Sequence, residues 1–315
     1  MKDTKAIIIS ICGPFLSQPE IKLIKREKPW GIILFKRNIK SSEQLKKLTS
    51  KIKFVAKNKN FPILIDQEGG SVSRLSKILF DKGFSQKFFG DINEINNEIS
   101  LKIYKKYMVY IIKKLKSLGL NINTVPVADL LTNFTNKILN NRCYSKKKKI
   151  IQKLCIFCIR TYRENKIGTV IKHIPGHGKA KVDSHLDLPV VKFSKNILFN
   201  NDFKCFKNQK SHFAMTAHVL YKDIDKNNCA THSQKIIKLI RTKIGFKGLL
   251  ISDDISMRAL KYDIITNAHK ALKAGCNLIL YCKGNTLECS KLIKTIPIID
   301  NYTQKKTSEF FNFLS

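Results

Sequence analysis

The amino-acid sequence predicts an α/β fold organised as a single (β/α)8 barrel of the TIM type. Short apolar segments alternate with longer helical patterns, and eight of those segments have the composition of buried strands. No low-complexity linker divides the 315 residues. Strands that alternate with helices form a parallel sheet, and eight such units favour a closed barrel over a doubly wound sheet. We therefore expect one domain over residues 1–315.

The spacing of apolar residues places the individual elements. The predicted strands lie at 6–11, 31–35, 63–66, 122–124, 170–173, 213–216, 249–252 and 278–281. The predicted helices lie at 19–26, 42–57, 97–118, 147–165, 233–243 and 264–274. Ser42 and Ser233 are the expected N-caps, and Gly119 and Gly275 are expected to end helices. The pattern leaves the helix between the fifth and sixth strands undefined.

The charge of the chain is strongly basic, with 59 Lys and Arg against 23 Asp and Glu and a net charge of +36. Such a charge is typical of nucleic-acid-binding proteins. Here, however, the lysines are spread over the polar faces of amphipathic segments, and there is no arginine-rich stripe with interleaved aromatic residues. We therefore expect no specific nucleic-acid partner.

The apolar segments and the cysteines indicate the cellular compartment of the protein. No apolar run approaches the length of a membrane span, and Gly13 and Pro14 end the N-terminal run too early for a secretory signal. The nine cysteines are an odd number and lie mostly in apolar segments. This favours reduced, buried thiols in a cytoplasmic protein without a membrane partner. Cys155 and Cys158 are interpreted as helix core rather than as zinc ligands.

Chemically versatile side chains collect where the predicted strands end. They are Asp66 at the end of the third strand, Lys172 and His173 at the end of the fifth, His218 after the sixth, and Asp253 and Asp254 after the seventh. The carboxyl ends of barrel strands meet on one face, which is where active sites of this fold lie. The positions therefore predict one shared site.

Residues 172–185 contain three of the seven histidines, in the motif Lys-His-Ile-Pro-Gly-His-Gly followed by Asp183-Ser-His185. A carboxylate beside an imidazole can fix its tautomer and raise its basicity, which general acid–base catalysis uses. A polar surface loop is the alternative interpretation. In residues 66–74, Asp66 can accept hydrogen bonds from sugar hydroxyls and Arg74 can donate to them.

Six motifs resemble, in the same order, those of bacterial β-N-acetylhexosaminidases of glycoside hydrolase family 3, the type used in peptidoglycan recycling. They are residues 31–38, 64–70, 172–178, 183–185, 215–218 and 252–257. The resemblance covers most of the chain. It implies an exo-acting hydrolase that removes non-reducing β-linked N-acetylglucosamine from 1,6-anhydro-muropeptides through a covalent glycosyl-aspartate.

The resemblance also implies residue roles. Asp253 matches the nucleophile, and His185, paired with Asp183, matches a general acid that then acts as base, in place of the usual second carboxylate. The residues matched to sugar contacts are Asp66, Arg74, Arg142, Lys172 and His173, with Met257 lining the pocket. His177 is expected to be structural, and His218 could be either structural or catalytic. We expect a monomer with a small glycan substrate and with neither metal nor cofactor.

The sequence departs from the family pattern at three places. Ser71 replaces a common arginine, Asn141 replaces an acid, and residues 131–141 lack the usual glycines, which bears on the geometry of Arg142. Two alternative functions stay open. One is a glycoside phosphorylase on the same fold, because a histidine acid–base would not repel phosphate. The other is a non-catalytic protein that binds nucleic acid or an anionic polymer.

Overall fold

A closed barrel of eight parallel strands forms the centre of the computed structural model, which describes residues 3–184 and 186–315. The strands are β1 (Lys5–Ser10), β2 (Pro29–Leu34), β3 (Ile63–Ile65), β4 (Ile122–Asn123), β5 (Gly168–Ile174), β6 (Phe213–Thr216), β7 (Leu249–Asp254) and β8 (Leu278–Tyr281). Each strand pairs with its neighbours in chain order, and Ile7 of β1 lies opposite Ile279 of β8, which closes the ring. The predicted fold class is confirmed.

Helices follow the strands and pack against one another around the barrel, as α1 does with α2 and α9 with α10. They are α1 (Gln18–Glu27), α2 (Ser42–Val55), α3 (Gln86–Ile95), α4 (Asn97–Ser117), α5 (Lys137–Asn140), α6 (Lys148–Glu164), α7 (Lys195–Asn200), α8 (Gln234–Leu239), α9 (Ile264–Ala274), α10 (Thr286–Thr295) and α11 (Asn301–Leu314). None of the helices in this described part of the chain combines the length and the apolarity that crossing a bilayer requires.

The helix ends agree with the sequence at three of four positions. Ser233 caps α8, and Gly119 and Gly275 have positive φ angles of 75° and 113° just beyond α4 and α9. The fourth prediction is wrong by one residue. Ser41, not Ser42, caps α2, because its Oγ accepts a hydrogen bond from the Gln44 backbone N–H at 3.1 Å.

The amino-terminal end of the barrel is filled by the last helix, α11. Phe310 packs edge-on against Phe213 at a centroid distance of 5.0 Å. Trp30 donates from Nε1 to Thr307 Oγ1 at 2.8 Å. A Cβ atom at Gly168 would lie 2.7 Å from the Phe310 ring, so only glycine allows α11 to approach β5 this closely. The packed lower end leaves the opposite, carboxyl end as the open mouth.

At the mouth, two strands extend further than their apolar patterns indicate. β5 ends at Ile174 and β7 ends at Asp254, so Asp253 belongs to its strand, as Lys172 and His173 belong to theirs. A short hairpin, Gln67–Gly69 with Val72–Ser73, follows β3. Regular strand geometry, rather than loop structure, therefore fixes the backbone beneath several of the predicted site residues.

Candidate active site

A pocket of about 290 Å³ opens at the carboxyl end of the barrel. The sequence-predicted site residues that line it are Asp66, Arg74, Arg142, Lys172, His173, Asp183, Asp253 and Met257. His185, the remaining predicted site residue, lies outside the described residues. Glu68, His177 and Asp254 also line the pocket; Glu68 and Asp254 were expected at the barrel mouth, and His177 was expected to be structural.

Asp66 is held by three donors at the end of β3. Lys172 Nζ lies 3.2 Å from its Oδ1 and Arg74 Nη2 lies 3.0 Å from its Oδ2, while Thr124 Oγ1 donates to Oδ1. Burial by itself would raise the pKa of Asp66, but the charges of Lys172 and Arg74 outweigh burial and hold this pKa well below its usual range. The carboxylate is therefore ionised and oriented before any ligand arrives.

Glu68 and Arg142 form a buried ion pair on the wall of the pocket. Arg142 contacts the carboxylate with both Nε and Nη2, at 2.8 and 2.9 Å, and Lys172 Nζ lies 2.6 Å from Glu68 Oε1. Burial alone would raise the pKa of Glu68, but the charges of Arg142 and Lys172 lower it to about 2. Glu68 therefore fixes Arg142 even though residues 131–141 lack the glycines of the family pattern.

A fully buried carboxylate, Asp129, supports His173 and was missed by the sequence analysis. Its Oδ2 lies 2.7 Å from His173 Nδ1, and its Oδ1 accepts from the His177 backbone N–H at 2.7 Å. Nδ1 is therefore the protonated nitrogen of His173, which leaves Nε2 as an acceptor, 3.5 Å from Arg142 Nη2. The available signal was weak: Asp129 lies in the segment that follows the fourth predicted strand, but not at the end of that strand.

The two adjacent aspartates at the end of β7 have different surroundings. Asp254 accepts from the Ser256 N–H (3.1 Å), from Ser256 Oγ (2.7 Å) and from the Cys282 N–H (3.1 Å). Burial raises the pKa of Asp254. Asp253 accepts through Oδ1 from the Asp254 backbone N–H at 2.8 Å, and it lines the pocket. The Asp254 carboxylate thus shapes the turn after β7, and both aspartates line the pocket.

His218, which the sequence left open, is fully buried behind β7. Its Nε2 donates to the Asp254 carbonyl oxygen at 3.0 Å, and its Nδ1 accepts from Thr231 Oγ1 at 2.7 Å. Burial lowers the pKa of His218, so the ring is neutral at pH 7. His218 therefore supports the backbone that carries Asp253 and Asp254.

The segment after β5 that carries Asp183 is tied to the segment after β4. The Gly178 carbonyl oxygen accepts from Thr132 Oγ1 at 3.0 Å and from Thr135 Oγ1 at 2.6 Å. A Cβ atom at Gly178 would lie 1.8 Å from the Leu130 carbonyl oxygen, so this close approach requires glycine. We call residues 176–184 the catalytic segment, because Asp183, which the resemblance matches to the acid–base pair, lies near its end.

A (β/α)8 barrel with ionised carboxylates and fixed cationic donors around a pocket at the carboxyl ends of its strands has the arrangement of a barrel enzyme that acts on a small polar substrate. The model of the glycosyl hydrolase family 3 N-terminal domain matches residues 12–306. The chain belongs to that family, and it is a glycoside hydrolase.

Individual members of the family are similar to this chain in sequence and in structure. The chain is 30% identical over 312 residues to a β-hexosaminidase of Psychromonas ingrahamii, with 97% of this chain and 89% of the relative covered. It resembles the solved structure of NagZ from Neisseria gonorrhoeae in complex with N-trifluoroacetyl-D-glucosamine, with a TM-score of 0.87, 26% identity, and 98% and 90% of the two chains covered. It also resembles a family 3 β-N-acetylglucosaminidase from Paenibacillus sp. FPU-7 (TM-score 0.83, 25% identity), where 98% of this chain spans 60% of that protein.

Proposed function

We propose that the chain is an exo-acting β-N-acetylhexosaminidase that releases terminal non-reducing N-acetylglucosamine from peptidoglycan fragments, 1,6-anhydro-muropeptides among them. The observation that carries the proposal is the grouping of Asp253 with the polar network of Asp66, Lys172 and Arg74 in one pocket. A carboxylate that accepts and cations that donate suit the hydroxyls of one terminal sugar. The names of the relatives, β-hexosaminidase and NagZ, support the choice of N-acetylglucosamine.

The proposed reaction retains configuration and has two steps. Asp253 attacks the anomeric carbon, the bond from that carbon to the aglycone oxygen breaks, and protonated His185 donates its proton to the leaving oxygen. Neutral His185 then takes a proton from water, the water oxygen bonds to the anomeric carbon, and Asp253 leaves as carboxylate. Asp183 orients the imidazole and stabilises its charged form. The remaining sugar contacts proposed are those of Arg142, His173 and Met257.

The choice of Asp253 over Asp254 can be tested by trapping the intermediate. With a slow 2-fluoro sugar substrate, the intact protein should gain the mass of one glycosyl group, and peptide mapping should find it on Asp253. Asp253→Asn should lower turnover by at least about 1,000-fold and take up no label, since a residue essential to a covalent route has no substitute. Asp254→Asn is the matched control and should still be labelled. Label on Asp254, or near-normal turnover by Asp253→Asn, would contradict the assignment.

The proposal includes a monomer in the cytoplasm and hydrolysis rather than phosphorolysis. The nine cysteines are free thiols, and all but Cys12 and Cys282 are buried, which supports a reducing compartment. Phosphorolysis is the second hypothesis, because a net charge of +36 attracts phosphate. Product analysis with and without phosphate separates the two, since only phosphorolysis yields the sugar 1-phosphate.

A further inference from the structure

The enclosed pocket is too small for more than one sugar of a longer glycan. Its volume of about 290 Å³ is at the lower end of small-molecule sites, which span about 300–1,000 Å³. The remainder of the substrate, the aglycone, must therefore leave through the mouth and contact whatever surrounds it. The identity of those surrounding residues decides which aglycones are accepted.

Two chain segments meet beside the mouth. Asn136 and Asp183 both line the pocket, and Asn136 Nδ2 donates to the Lys181 carbonyl oxygen at 3.1 Å. Phe134 and Lys181, each two residues earlier in its segment, therefore lie next to the opening. Both side chains are exposed, and 42% of the surface of Phe134 is accessible.

The side chains of these two residues contact each other. Lys181 Nζ lies 5.2 Å from the centroid of the Phe134 ring, and Phe193 packs against that ring at 5.4 Å between centroids. Neighbouring Lys179 already has a partner, since its Nζ lies 3.3 Å from Asp202. Among the described residues, by contrast, no carboxylate lies within 4.0 Å of the Lys181 ammonium group.

Further exposed apolar side chains lie in or near one of these two segments. Exposed apolar side chains on and just after the catalytic segment are Val182, Leu186 and Val190. Single exposed apolar residues are ordinary on a protein surface, but several beside an active-site opening, together with an exposed aromatic ring, indicate a binding surface. This surface continues the pocket rather than standing apart from it.

We propose that Phe134 and Lys181 form a second binding position for the aglycone, one that selects a sugar with an apolar ring face and a carboxylate. The aromatic ring, steadied by Phe193, packs against the C–H face of the pyranose, and the Lys181 ammonium group pairs with the carboxylate. This inference rests on the proposed function, and it assigns substrate selectivity to Phe134 and Lys181.

The test compares two substrates. One is an aryl β-N-acetylglucosaminide, and the other is N-acetylglucosamine β-linked to N-acetylmuramic acid, whose lactyl group carries a carboxylate. The ratio of kcat/KM on the disaccharide to kcat/KM on the aryl glycoside should fall about tenfold in Phe134→Ala and about threefold in Lys181→Ala. The Lys181→Ala effect should disappear when the lactyl carboxylate is methylated, and Lys181→Arg should restore the ratio.

A matched pair elsewhere on the surface supplies the control. Lys51 Nζ lies 5.4 Å from the ring centroid of Phe54, which is 74% exposed on the outer helix α2. Phe54→Ala and Lys51→Ala should leave the ratio unchanged. An unchanged ratio in Phe134→Ala and Lys181→Ala would overturn the second binding position. A wild-type protein that cleaves neither substrate would instead overturn the proposed function.

Discussion

At the scale of single residues, the buried carboxylate of Asp129 supports the site although it does not line the pocket. It accepts from His173 Nδ1 and from the His177 backbone N–H, so one side chain sets both the tautomer of His173 and the start of the catalytic segment. Burial by itself would raise the pKa of Asp129, but His173 and His177 lower it. Charge-assisted hydrogen bonds of this kind contribute about 1.5–3 kcal/mol each.

We expect Asp129→Asn to lower kcat/KM by about 10- to 100-fold. The single amide oxygen of the new side chain accepts from the His177 N–H, so the amide nitrogen faces His173 Nδ1 and cannot accept from it. The His173 proton then moves to Nε2, which faces the donor Arg142 Nη2. Steady-state kinetics over a pH range measures the loss and should show a changed profile, which simple unfolding would not produce. The control is Asp225→Asn. Asp225 does not line the pocket, and it accepts a hydrogen bond of 2.6 Å from Ser233 Oγ. Equal losses in the two variants would contradict a positioning role.

The sequence predicted the residues at strand ends better than the residues that hold them. Asp66, Lys172 and Asp253 could be found because a (β/α)8 barrel brings the ends of its strands together. The partners of Glu68 and Asp129 could not be assigned, because which donor meets which carboxylate depends on residues far apart in the chain. Arg142 is 74 residues away from Glu68, and Lys172 is further away still. Local sequence patterns carry no such distances.

At the scale of secondary structure, residues 131–141 are a support for the catalytic segment. Thr132 and Thr135 both donate to the Gly178 carbonyl oxygen. The sequence analysis noted this region only as a departure from the family pattern around Arg142. The threonines explain how a segment without the usual glycines still holds its neighbour in place.

Replacing Thr132 and Thr135 together by valine keeps their shape and removes both hydroxyl groups. Each neutral hydrogen bond contributes about 0.5–1.5 kcal/mol, so we expect about a tenfold fall in kcat/KM on the disaccharide. The fall should be smaller on an aryl glycoside with a good leaving group, because that substrate needs little help from the proposed acid carried beyond Gly178. Thr49→Val is the control, since Thr49 Oγ1 donates to the Leu118 carbonyl oxygen at 2.7 Å on the outer helices. A loss that is the same for all leaving groups would contradict the support role.

Several helices were not predicted from the sequence. α10 and α11 follow the last strand and were not expected, and α3 directly precedes α4 and was not separated from it. α11 packs under the barrel through Phe310, a position outside the regular alternation of strand and helix. Long periodic helices such as α4 and α6, by contrast, were predicted to within three residues at each end.

At the scale of the whole molecule, buried histidines make stability depend on pH. Burial lowers the pKa values of His177, His212 and His232 to about 4, against 6.5 for a free imidazole. Between pH 4 and pH 6.5 these histidines bind protons in the unfolded chain but not in the folded chain. The stability present above pH 6.5 is therefore lost as the pH falls toward 4. Burial raises the pKa of Asp202 to about 6, which acts in the opposite direction because the folded chain takes up that proton first.

We expect the free energy of unfolding to fall by about 1–3 kcal/mol between pH 7 and pH 5, as measured by urea denaturation at constant ionic strength. Three histidines outweigh one aspartate, and each added proton also increases the repulsion within a chain of net charge +36. His212→Leu should shrink the fall, because His212 packs against Phe313 at 4.4 Å between ring centroids and a leucine there does not titrate. Asp202→Asn should deepen the fall, because it removes a group whose raised pKa opposes it. The explanation would be contradicted if both variants showed the pH dependence of the unaltered protein, since the lost stability would then come from charges elsewhere in the chain.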